Sequence, residues 1–113
     1  MSHACLPVAF ALEARPDRDR VIVAVGGELD LAHIGALQAA LDELRSAGWT
    51  DIVADLRELQ FIDSTGLSLL LAADRDARRQ GWTFSVADAS PAVTRLLELS
   101  GLTGHFRRAQ VSP

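Results

Sequence analysis

The chain has 113 residues, 49% of them apolar, which lies in the usual range for one domain and suffices to cover a sheet with helices on one face, so one folded unit is expected. Its 15 acidic residues outnumber 11 basic ones, all arginine, and the net charge of −4 offers no basic stripe for a nucleic-acid backbone, so direct nucleic-acid binding is not expected. The lone cysteine, Cys5, excludes a disulfide within the chain, and no stretch approaches the roughly 20 apolar residues of a membrane span.

The opening MSHACLPVAF has neither a basic leader nor a continuous apolar core, so a cytoplasmic protein without membrane insertion is expected. Residues 8–13 and 20–25 read as two strands joined by the charged, proline-containing turn Arg15-Pro16-Asp17-Arg18-Asp19, a connection short enough for an antiparallel hairpin. In the first, Val8, Phe10 and Leu12 alternate with smaller or charged residues, the period of a sheet with one covered face. Between Asp30 and Ala47 the period changes: Ile34, Leu37, Leu41 and Leu44 line one side of a helix that Gly48 stops.

Ile52-Val53-Ala54-Asp55-Leu56 reads as a buried strand, followed by a short loop and a second helix from Ser64 to Gln80. Leu67, Leu70 and Leu71 should face inward on it, and Asp74, Arg75, Arg78 and Arg79 outward. Residues 82–87 supply a fourth strand, and Ser90-Pro91 opens a third helix with a hydroxyl cap followed by proline, closed by Gly101. A weak fifth strand falls near His105-Phe106-Arg107. The expected fold is α/β, a mixed sheet of four or five strands with helices mainly on one face, in one domain over 1–113 with its core at about 7–108.

The most informative segment is Phe61-Ile62-Asp63-Ser64-Thr65-Gly66-Leu67, where polar residues and a glycine separate an apolar pair from an apolar helix. Helix capping accounts for one of these polar residues, and the dipole at a helix start would let the fold tolerate a phosphate on Ser64. No glutamate or glutamine stands three residues after Asp63, Ser64 or Thr65, so a reciprocal capping box does not account for the cluster.

This segment resembles the phosphorylation motif of the anti-sigma factor antagonists within the STAS superfamily. Gly27-Glu28-Leu29-Asp30 is similar to the family's early Gly-Glu-Leu-Asp segment, and Ser90-Pro91-Ala92-Val93, through Leu96 to Ser100-Gly101-Leu102, to its late helix. The resemblance implies a STAS-like fold with no cofactor and no catalytic residue, and identifies Ser64 as the phosphoacceptor. It also implies two partners, an anti-sigma factor with serine kinase activity and a phosphoserine phosphatase. Phosphorylation would switch binding off. The expected partner-binding residues are Glu28, Asp30, Asp63, Ser64, Thr65 and Gly66, because two loops at strand carboxyl ends can share one surface.

Other readings remain open at this point. Asp30 could be no more than the cap of the first helix, and Glu28 a solvated edge residue. A hydrolase would need His33 or His105 as a base for Ser64, with Asp55 or Asp30 orienting it, yet no Gly-x-Ser-x-Gly elbow is present. Asp63 with Asp55 or Asp30 is a poor magnesium site, and Gly26-Gly27 is too short to cradle phosphates. Trp49 and Trp82, each just before a strand, read as partly buried anchors. The alternative within the superfamily is an unphosphorylated scaffold subunit of another assembly, such as a lipid-transport complex.

Overall fold

The structure, a computed structural model, describes residues 10–111. Its elements in chain order are β1 (Ala11–Asp17), β2 (Arg20–Leu29), α1 (Ile34–Ser46), β3 (Asp51–Asp55), β4 (Leu59–Ile62), α2 (Ser64–Gln80), β5 (Thr83–Ala87), α3 (Pro91–Leu99) and β6 (Arg107–Ala109). The main sheet runs β1-β2-β3-β5-β6, with β4 paired to β2 outside that path. Only β1 is antiparallel to its neighbour; the other pairs are parallel, as crossovers through helices require.

The central strands are apolar runs, broken only by the buried Ser85 of β5, because both of their faces are buried. Val21, Val23 and Val25 of β2, Ile52 and Ala54 of β3, and Phe84 and Val86 of β5 share one core with Leu37 and Leu41 of α1, Leu70, Ala73 and Ala77 of α2, and Val93 and Leu97 of α3. Residues of the opposite parity, Ile22, Val53 and Ala87, form a smaller cluster with Val111. The three helices thus lie on the side of the larger cluster, as expected. Each large side chain fully buried there contributes about 1.5–3 kcal/mol.

The strands differ from their expected limits in instructive ways. β1 extends through Asp17, so Arg15-Pro16-Asp17 is strand and the turn shrinks to Arg18-Asp19. A proline is tolerated there because β1 is an edge strand with one unpaired side. Phe10 and Leu12 pack on the core as their alternation implied, whereas Val8 and Ala9 lie outside the described residues. The expected loop after β3 contains β4, which raises the strand count to six. The last strand is Arg107–Ala109, two residues later than expected, after the buried Phe106.

The helices hold their expected faces with two exceptions. α1 begins at Ile34, because Asp30 to His33 form a separate turn in which Ala32 N–H donates to Asp30 Oδ1 at 3.1 Å. Asp30 is therefore not the residue that caps α1; that position is His33, which makes no side-chain cap. Asp74, expected outward, is 4% exposed and accepts from Arg78 Nε at 3.0 Å while His105 Nε2 stands 3.3 Å away. A carboxylate can occupy that inner position because the Arg78 guanidinium pairs with it there and the His105 ring stands against it.

β2 reaches the functional end of the molecule by changing partner. Val21 to Ala24 pair with β3, and Gly27 to Leu29 pair with β4, with a register shift between Gly27 and Glu28. Gly27, at φ 84°, supplies the left-handed backbone that the shift needs, and its N–H donates to Glu58 O at 3.1 Å. Where β2 ends, α2 begins: a Cβ at Gly66 would stand 2.5 Å from Leu29 O and 2.9 Å from Ile62 Cγ1. Gly66→Ala should therefore cost about 2–3 kcal/mol by forcing α2 away from β2. A urea unfolding curve measures it, and an unchanged midpoint would show that the contact does not constrain the fold.

Candidate functional site

Two loops meet at one end of the sheet. The β2 end brings Glu28 and Asp30, and the β4–α2 junction brings Asp63, Ser64, Thr65 and Gly66. Their proximity follows from pairing: Glu28 lies opposite Phe61 and Leu29 opposite Ile62, and Asp63 N–H donates to Leu29 O at 3.3 Å. The two segments expected to share a surface are thus joined by a strand ladder that sequence reading missed. β4 is only four residues long and follows a charged loop, so its alternation is too brief to stand out.

Within the junction each polar residue has a distinct position. Asp63 is the N-cap of α2, in extended conformation, and its Oδ1 accepts from Gly66 N–H at 3.0 Å. The same oxygen accepts from the Thr65 hydroxyl at 2.5 Å. The Thr65 hydroxyl, foremost, and then the Gly66 N–H hold the Asp63 carboxyl below the ordinary aspartate range, against an opposing desolvation. Backbone N–H groups of Thr65 and Leu31 add to this lowering.

Ser64 is the first residue of α2 and is exposed, whereas Thr65 is half-buried. Of two adjacent hydroxyls, one is committed to the cap and the other faces outward. Gly66 is buried beneath this surface, where it admits the close approach of Leu29, so its contribution is to position its neighbours. Glu28 and Asp30 are half-exposed, which leaves their carboxylates within reach of a docked molecule.

The remaining candidates are placed elsewhere or are occupied. His33 stacks on Phe10, with ring centroids 4.5 Å apart, and its Nδ1 lies 2.9 Å from Asp30 Oδ1, off the line of a hydrogen bond. His105 sits beside Asp74, ten positions and about 15 Å along α2 from Ser64. Asp55, 5% exposed at the end of β3, is held by Arg57, whose Nη2 is 2.8 Å from Oδ2. The hydrogen bond to that carboxylate, and then its charge, raise the Arg57 pKa above its ordinary value. Trp82 is buried and Trp49 half-buried, the anchoring positions expected of them.

Two residues of this end escaped sequence reading. Phe61 is 48% exposed and Leu31 is 71% exposed, each large, apolar and adjacent to the acidic residues. Periodicity assigns apolar residues to the interior, so an outward phenylalanine on a short strand carries no signal of its own.

Chemically the surface combines an accessible serine hydroxyl at a helix start with three carboxylates and an apolar rim. Among the described residues no helix is long and apolar enough to cross a membrane.

Comparison with known proteins bears on this geometry. The family model described as "Mlab, STAS domain" matches residues 12–109. The anti-sigma F factor antagonist of Paenibacillus polymyxa is 35% identical over 92 residues, covering 80% of this chain and 79% of its own. Among solved structures, the anti-sigma factor antagonist SpoIIAA in its unphosphorylated form superposes with a TM-score of 0.71 at 27% identity, over 92% of this chain and 89% of its own. The phosphorylated form of the Bacillus cell fate determinant SpoIIAA gives 0.68 at 27% identity, over 92% of each chain.

The Asp63 cap yields a direct test. An NMR titration of the Asp63 carboxyl should give a midpoint below 3.8, and Thr65→Ala should move it upward. A carboxyl held low in the fold stabilises it at pH values above its unfolded pKa, and that contribution is lost as pH falls through the folded value. The native chain should therefore lose more stability than Thr65→Ala on acidification below about pH 4. Identical acid limbs for the two would remove the Thr65 hydroxyl from the account.

Proposed function

Because the chain belongs to the STAS domain family, and relatives of it are named anti-sigma factor antagonists, we propose that it acts by partner switching through Ser64. The unmodified chain binds an anti-sigma factor that is also a serine kinase, and so frees the sigma factor. The kinase transfers the γ-phosphoryl group of ATP to Ser64 Oγ, releasing ADP and the hydroxyl proton, and the modified chain lets go. A phosphatase hydrolyses the phosphoserine to serine and inorganic phosphate, which restores binding. Ser64 is a substrate in this cycle and catalyses nothing. We place the cycle in the cytoplasm, where ATP and the transcription machinery are.

The observation that carries the reading is the exposure of Ser64 beside a neighbour hydroxyl already committed to Asp63. A kinase that reaches this helix start meets one available acceptor. After transfer the phosphate adds nearly two negative charges next to Glu28, Asp30 and Asp63. The helix start helps the fold to hold them, through its positive end and unpaired N–H groups. A partner that had matched the unmodified surface instead meets repulsion and desolvation, for which about 4 kcal/mol is a reasonable scale and corresponds to roughly a thousandfold in affinity.

The test is to incubate the purified chain with ATP and anti-sigma kinases from its own source, then locate added phosphate by peptide mass spectrometry and follow binding by calorimetry. Phosphate is expected on Ser64 of the native chain and on no residue of Ser64→Ala, which should still bind the kinase. Ser64→Asp should bind at least about tenfold more weakly. Normal binding by Ser64→Asp would overturn the electrostatic account. A folded chain that no active kinase modifies would favour an unregulated scaffold.

A further inference from the structure

Three large apolar side chains are strongly exposed among the described residues: Leu31, Phe61 and Leu99. Leu99 closes α3, while the other two flank the Ser64 surface from different elements. Phe61 lies opposite Glu28 in the β2–β4 ladder, so the two are lateral neighbours about 5 Å apart at their Cα atoms. Leu31 directly follows Asp30, and its N–H faces the Asp63 carboxylate. Phe61 and Glu28 from the ladder, Asp30 and Leu31 from the turn after it, and Asp63 next to Ser64 thus bring two exposed apolar side chains and three carboxylates to the end of the molecule that carries the phosphoacceptor.

Neither apolar residue is explained by the fold. On β4, Leu59 and Ile62 are the buried residues, and Gln60 and Phe61 both face out. A polar residue at position 61 would leave the core untouched. In the turn before α1, the Leu31 backbone N–H bonds to Asp63 while its side chain is 71% exposed. An exposed aromatic beside carboxylates fits a docking surface, where aromatic residues are enriched and charge is matched across the contact.

We propose that Phe61 and Leu31 are the apolar anchors of the partner-docking surface, and that the partner receives them in apolar recesses bordered by arginine or lysine. This rests on the Ser64 switch proposed above and specifies the chemistry of the surface that the switch controls. The charge of the site selects the border: Glu28, Asp30 and Asp63 are all acidic, and the nearby Arg57 is occupied by Asp55. One phosphate can disturb the whole contact because Ser64 stands on the same end of the molecule as both anchors and is brought close to the partner when they seat.

Calorimetric titration of the kinase that modifies Ser64 with the native chain, Phe61→Ala, Leu31→Ser and Leu99→Ala tests the assignment. Phe61→Ala is expected to bind at least about tenfold more weakly and Leu31→Ser severalfold, with Leu99→Ala unchanged. Steady-state phosphorylation should show a raised KM for Phe61→Ala at nearly unchanged kcat, as loss of docking without loss of the acceptor requires. Leu31→Ser guards against a folding defect at Phe61, since Leu31 is 71% exposed and lies outside the core. Native-like affinity and KM in both variants, with Ser64 still modified, would overturn the anchors and leave the switch standing. If no kinase binds the native chain, the switch itself falls and the anchors with it.

Discussion

The organisation of this end of the molecule depends on how closely the start of α2 approaches the end of β2. The Leu29 carbonyl receives the Asp63 N–H, and it stands where a side chain at position 66 would have to be. Because that position is the third of the helix, the residue that would complete a reciprocal capping box is sterically forbidden there. The cap must be built from what remains. Asp63 takes the Gly66 N–H, and Thr65 supplies the second donor to the same carboxylate oxygen. Ser64, the one residue of the turn with no part in this arrangement, is left facing outward. The absent glutamate and the use of the Thr65 hydroxyl in the cap are thus two consequences of one contact.

The same contact fixes the electrostatics. Carboxylates at Glu28 and Asp30 come from β2, and Asp63 from the junction, so joining β2 to β4 gathers acidic groups that are more than 30 positions apart in the chain. Exposed like charges in water repel weakly, and the positive end of α2 favours the anions nearest to it. An unbound chain therefore tolerates one more anion. The balance changes when a partner removes the water, since the same charges then interact through a lower dielectric. A modification nearly neutral for stability can be decisive for docking, which is the property a reversible switch needs.

Much of this was legible in the sequence, and the parts that were not have physical reasons. Helical spacing located α2 from Ser64 to Gln80, and Ser90-Pro91 marked the start of α3, because caps and glycine stops act through local chemistry. The resemblance of Gly27-Glu28-Leu29-Asp30 and Asp63-Ser64-Thr65-Gly66 to one family pointed to the site's residues. β4 was not legible, since a four-residue strand is defined by its partner and not by its own period. Asp74 was misread as outward for a related reason: its burial depends on His105, a loop residue far along the chain that no helical pattern includes. The outward position of Phe61 was not legible either, since it follows from a strand too short to show its own period.

The site is also held more firmly than a surface loop would be. β4 is tied to β2 on one side by its ladder and to α3 on the other by Ser90, whose hydroxyl donates to the Leu59 carbonyl. The Ser90 N–H donates in turn to Leu56 O at 3.2 Å, and Ser90 Oγ accepts the Val93 N–H at 3.4 Å as it caps α3. One serine thereby links the ends of β3, β4 and α3, and its location in the late motif acquires a structural reason distinct from that of Ser64. Fixing the backbone of each residue in a loop costs about 1–2 kcal/mol when it must be ordered on binding. Here the backbone on which Phe61, Ser64 and the carboxylates stand is ordered by the fold itself. Docking energy is then available for discrimination between the modified and unmodified surface, because little of it is consumed in building that surface.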